Sequence, residues 1–172
     1  MFHIEILSLY WKDETTDYPD DLCLHGDVVV TIGEEILEYE CANVSATALL
    51  LLKTLTESCV KKEQWGTQML PCCGFTFFPN DALDTVDICG CPNGIDWTII
   101  HIDDNKVKHI SDSGEEATID ETTYQKIVLD FADQVENFYK LSSPKIIPSD
   151  DFDKKGYLTF WKEWRHLRDK WK

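Results

Sequence analysis

Asp27-Val-Val-Val-Thr-Ile-Gly33-Glu-Glu-Ile-Leu-Glu-Tyr39 is the stretch that decides the fold class. Residues 27–32 are β-branched and mostly apolar after Asp27, Gly33-Glu34-Glu35 interrupts them, and Ile36 to Tyr39 resumes an apolar and polar mixture. Branching at Cβ suits the pleated strand, and glycine permits the tight reversal. Two antiparallel strands follow. Upstream, Ile4 and Ile6 within Phe2 to Trp11 predict an opening strand. Downstream, Val44, Ala48, Leu51, Leu52, Leu55 and Cys59 fall at helical spacing, with Asn43 or Ser45 able to cap the start. They predict a helix over 45–62.

Beyond this helix the signals alternate again. Phe75 to Phe78 predicts a short strand. Val86 to Cys91 and Ile95 to Asp103 flank Pro92-Asn93-Gly94, and Asn-Gly favours a type I′ hairpin turn. That register pairs Cys91 with Asp96, Gly90 with Trp97, Cys89 with Thr98 and Ile88 with Ile99. It puts Val86, Ile88, Trp97, Ile99 and His101 on one face, and Cys89, Cys91, Thr98 and Ile100 on the other. Lys106 to Ser111 continues as a strand after Asp104-Asn105. Thr118-Ile119-Asp120-Glu121 has capping-box spacing and predicts the start of a second helix. Its stripe is Tyr124, Ile127, Val128, Phe131, Val135, Phe138 and Tyr139, and Ser142-Ser143-Pro144 ends it. A third helix is predicted over Tyr157 to Trp171. The expected fold is α+β, with a mainly antiparallel sheet, one internal helix and two C-terminal helices in a single domain over residues 1–172.

Hydrophobic residues make up 43% of the chain, charged residues 28% and aromatic residues 12%, enough apolar surface for a core that needs no metal or disulfide. The formal charge is −16. It is unevenly spread: residues 1–151 carry 9 basic and 29 acidic side chains, whereas residues 152–172 carry 7 and 3. A phosphate backbone would be repelled, so nucleic-acid binding is not expected. A basic protein partner would be attracted. No stretch spans a bilayer, the N-terminus has no secretory pattern, and the seven cysteines are an odd count. Thiols in a reducing, cytoplasmic setting are the expectation.

Four of the cysteines stand in two local groups, Cys72-Cys73 and Cys89-Gly90-Cys91. Zinc on Cys72, Cys73, Cys89 and Cys91 is an alternative, but paired thiolate ligands ordinarily stand two to four residues apart. The main expectation is small buried side chains with no cofactor. A thiol nucleophile assisted by His101 is a second alternative, although the predicted register puts His101 opposite Cys89 and Cys91. The chain has no nucleophile elbow, His-Glu-x-x-His pair or phosphate-binding loop. An enzyme is therefore not the leading expectation, and no catalytic residue is assigned.

Asp13 to Asp27 holds six acids and no lysine or arginine. Asp13, Glu14, Asp17, Asp20 and Asp21, with Trp11 and Tyr18 as aromatic anchors, form the candidate docking face for a basic partner. A third alternative is an assembly subunit that uses the C-terminal helix, where Trp161, Trp164 and Trp171 stand among basic residues; the plain expectation there is a core-facing stripe. With its acidic segment, its overall charge and no catalytic motif, the chain resembles small acidic bacterial toxin-immunity proteins. The resemblance implies a module that binds and blocks a toxin domain. It carries over no functional residue. Leu-Pro-Cys-Cys-Gly and Gly-Cys-Pro-Asn-Gly-Ile-Asp-Trp have the look of family signatures without matching an immunity motif.

Overall fold

A computed structural model describes residues 1–13, 15–60, 66–72, 76–90 and 92–171. The fold is α+β with antiparallel sheets. Strands β1 (Phe2–Tyr10), β2 (His25–Ile32) and β3 (Glu35–Asn43) form one sheet in the order β1-β2-β3. The opening hairpin reverses at Gly33, whose φ of +63° is the left-handed conformation that glycine adopts without strain. Val28, Val30 and Ile32 point inward while Asp27, Val29 and Thr31 are half-buried on the other face, the period-two alternation of a one-sided sheet.

Helix α1 (Val44–Thr54) follows β3 without a loop. The Asn43 side chain accepts from Ala46 N at 2.9 Å, satisfying one of the first-turn donors. Nearly every residue of α1 is buried, so this helix is the centre of the core. It stops well short of the predicted end at residue 62. Thr54 and Thr56 turn their hydroxyls onto the carbonyls of Leu51 and Lys53, and Leu55 N bonds to Leu52 O, a tightened final turn. Lys61 and Lys62 lie outside the described residues.

The middle of the chain departs most from expectation. The hairpin around Asn93-Gly94 does not form. Strand β6 (Val86–Cys89) pairs with β5 (Thr76–Pro79), placing Cys89 opposite Thr76 and Ile88 opposite Phe77. Two short strands, β4 (Leu70–Pro71) and β7 (Gly94–Ile95), pair with each other. Asp96 accepts from Met69 N at 3.1 Å and so helps hold segment 94–96 against 69–71. Asn93 is not among the described residues of positive φ, so the type I′ turn is absent. The face pattern nevertheless survives: Val86, Ile88, Trp97 and Ile99 are all buried.

Strands β8 (Trp97–Ile102), β9 (Lys106–Ser111) and β10 (Glu116–Asp120) form the second three-stranded sheet. Asp104 and Asn105 turn β8 into β9 with φ of +66° and +55°, conformations that Asp and Asn tolerate better than most residues. Thr118 lies in β10 opposite Lys108, so the predicted capping box is not one. Helix α2 (Glu121–Leu141) begins three residues later, and its stripe of Tyr124, Val128, Phe131 and Val135 is buried. Helix α3 (Asp151–Lys170) starts six residues before the predicted Tyr157 because Asp150 caps it, accepting from Phe152 N and Asp153 N. Tyr157, Phe160, Trp164 and Leu167 face the core. No helix among the described residues is long and apolar enough to cross a membrane.

Candidate functional site

The chain leaves β1 at Tyr10 and re-enters a strand at His25, so the acidic segment is mostly the loop between them. Asp27 is not part of that loop. It lies in β2, where its carboxylate accepts from Ser8 Oγ at 2.7 Å, Cys41 N at 3.1 Å and the Tyr10 hydroxyl at 3.1 Å. These donors hold the Asp27 carboxyl below the usual range, the Ser8 hydroxyl most of all. Burial, reinforced by Asp27, pushes the Tyr10 phenol up.

Trp11 does not serve as an exposed anchor. It is 5% exposed, and its indole packs 5.1 Å from the Tyr139 ring and 5.6 Å from Phe138. Its Nε1 donates to Ser142 Oγ at 3.1 Å. A large ring beside the aromatic stripe of α2 removes more apolar surface from water there than it could at the loop tip.

Behind the loop stands Lys145, from the connection between α2 and α3. Its ammonium lies 3.3 Å over the Trp11 ring, pairs with Asp17 and donates to the Tyr18 carbonyl at 3.1 Å. Asp17 also accepts from Ser143 N, and Ile146 N donates to Pro19 O at 2.7 Å. Lys145, with the Ser143 amide adding to its effect, keeps the Asp17 carboxyl below the usual carboxylate range. Asp17 is therefore a clamp that fastens the loop.

The remaining acids divide by role. Asp13 accepts from the Thr15 hydroxyl at 2.7 Å and the Thr15 amide at 2.9 Å, which lower its carboxyl in that order. Asp21 accepts from Lys12 N and Cys23 N. Asp20 is exposed and has no hydrogen bond or ion pair among the described residues. Glu14 lies outside the described residues. Asp13, Tyr18, Asp20 and Asp21 line one open concavity of about 1000 Å³, together with Lys12, Leu22 and Cys23. A cationic side chain entering it would meet residues bearing three carboxylates and a phenol, opposed by the positive charge of Lys12.

The cysteine alternatives fare differently. Cys72 is held in a disulfide, a departure from the expectation of thiols throughout. Sequence spacing alone does not reveal it, because adjacent and near-adjacent cysteines give no signal of which sulfurs meet. A disulfide sulfur is no thiolate, so Cys72 is not available as a zinc ligand in this state. Cys73 and Cys91 lie outside the described residues. Among the described residues no three His, Cys, Asp or Glu side chains converge as a metal site.

Cys59 and Cys89 line a second cavity, of about 700 Å³, at the end of α1. The described wall does not include His101, whose Nε2 lies 2.7 Å from Thr54 O and whose Nδ1 lies 3.5 Å from Glu121. Lys53, on the same wall, is tied to Glu163 at 3.1 Å and to the Val86 carbonyl, while Glu163 accepts from Val86 N at 2.8 Å. Burial raises the Glu163 carboxyl, against the pull of Lys53. These groups satisfy one another in joining α1, β6 and α3.

Lys145, Ser143 and Ile146 escaped the sequence reading. Ser142-Ser143-Pro144 signals only a helix end, and nothing local marks the next residues as partners of a loop more than 120 positions earlier. No family model, curated protein or solved structure matches the chain.

Proposed function

We propose that this chain is a non-enzymatic protein-binding module that docks a basic partner on the loop of residues 12–22, as an immunity or inhibitor protein would block a toxin domain. One observation carries the reading: Asp13, Tyr18, Asp20 and Asp21 share a concavity on a loop fastened from behind by Lys145. A fastened loop loses little conformational entropy on binding, and its carboxylates complement lysine and arginine. The charge of −16 adds long-range attraction for the same partner.

The test is affinity capture from host lysate at low salt, identification of the captured protein, and association kinetics with the purified pair. Asp13→Lys with Asp20→Lys should slow association by roughly tenfold or more at low salt and flatten its salt dependence. Asp17 is left intact because reversing it would break the clamp. An association rate and salt slope identical to wild type would sink the loop as docking face.

A further inference from the structure

The connection between α2 and α3 exposes two adjacent isoleucines, Ile146 at 61% and Ile147 at 48%, beside a loop on which Tyr18 is 50% exposed. The two segments are joined by the Ile146–Pro19 backbone bond and by Lys145, which reaches Asp17 and the Tyr18 carbonyl. Pro144 and Pro148 bracket the isoleucines and restrict the backbone further. This is apolar surface on an ordered platform, and no described element covers it.

We infer that Tyr18, Ile146 and Ile147 form the apolar anchor of the docking site, receiving an apolar side chain from a partner surface that also carries lysine and arginine. The inference rests on the docking reading above and adds the half of the site that the acids cannot supply. Charge complementarity selects the occupant. Asp13 and Asp20 lie on the same loop as Tyr18, and the whole chain carries −16, so a second copy, an anionic bilayer or a nucleic acid is repelled while a basic protein is drawn in. The two halves divide the work: surface charge governs encounter, whereas desolvated apolar contact slows release.

The test uses two synthetic twelve-residue peptides of equal charge as probes, one alternating arginine with leucine and the other alternating arginine with serine. Affinities are measured with the wild-type chain and with Ile146→Ser/Ile147→Ser, and amide shifts are mapped on the wild type. The wild type should bind the leucine peptide roughly tenfold or more tightly than the serine peptide, with shifts centred on Tyr18, Ile146 and Ile147. The double variant should lose that preference yet still bind both peptides in a salt-sensitive way. Both isoleucines are exposed, and serine keeps the backbone bond to Pro19, so the variant should fold; its circular dichroism and melting curve verify this. Equal affinity of the wild type for the two peptides, a preference that survives in the variant, or shifts centred elsewhere would overturn the anchor while leaving the acidic docking face standing. Failure of both peptides to bind at low salt would overturn both readings. Self-association of the wild type by light scattering, abolished in the variant, would assign the patch to a second copy instead.

Discussion

His109, in the middle of β9, is fully buried, and among the described residues neither ring nitrogen has a hydrogen-bond partner. Its ring stacks on Phe2 at 3.5 Å between centroids and meets Tyr124 edge-on at 5.0 Å. An imidazolium here would be a buried, uncompensated charge, so burial, aided by the nearby His101, depresses the His109 pKa to about 3. In the unfolded chain the same ring titrates near its ordinary value of about 6.5. Between these two values the unfolded state binds the extra proton. Stability from this group is therefore complete above about pH 6.5 and declines as pH falls towards 3, by up to about 1.4 kcal/mol per pH unit. His109→Phe keeps the stack and removes the titration. Urea unfolding from pH 7.5 to 4 should show a shallower acid loss in the variant than in the wild type, and parallel curves would refute the assignment. Strand alternation can tell that a position faces inward. It does not tell whether an inward imidazole finds a partner, because the rings packed on His109 come from two other elements, β1 and α2.

At the scale of elements, legibility tracked how local the cause was. Helix α2 was readable because its stripe repeats over many turns, and the β2–β3 hairpin because Gly33 supplies its own turn. The Asn-Gly signal misled because a local turn preference is worth less than the β5–β6 pairing and the Asp96–Met69 bond that compete for the same segments. The missed first turns of α3 show another limit: Asp150 caps correctly, but Gly156 inside the pattern argues against helix when read alone. The tertiary structure explains the glycine. A Cβ at Gly156 would lie 2.6 Å from the Phe77 carbonyl and 3.0 Å from the Phe77 Cβ, so its absence lets α3 sit against β5 with Phe160 stacked on Phe77 at 4.6 Å. Alanine would gain about 1 kcal/mol in helix propensity. The steric conflict is with backbone that cannot swing aside, and overpacking of this kind costs about 1–3 kcal/mol. Gly156→Ala should therefore lower the urea midpoint; an unchanged or raised midpoint would show that the helix can shift at little cost.

Across the whole molecule, the acidic loop is held by residues from the opposite half of the chain. Lys145 is the key tie, with its side chain 6% exposed and its ammonium shared among Asp17, the Tyr18 carbonyl and the Trp11 ring. Lys145→Ala removes all three contacts and leaves the loop attached mainly through Ile146 and Ser143. The expected loss is about 1–3 kcal/mol in urea unfolding, with faster hydrogen exchange at the Ile146 amide and slower association with the proposed basic partner, since the loop must then order on binding. Unchanged exchange at Ile146 would show that the backbone bond to Pro19 holds the loop without the lysine.

Composition and periodicity alone determined the α+β class, the inward faces of the strands, the stripe of α2 and the net acidity of the chain. Each arises from neighbours in sequence or from a sum over the chain. It took the packed fold to turn Trp11 inward, to fasten Asp17 to Lys145, and to bring the Ile146 amide to the Pro19 carbonyl. The physical reason is the same in every case. A side chain's role is set by what lies against it, and here that neighbour comes from a distant part of the chain.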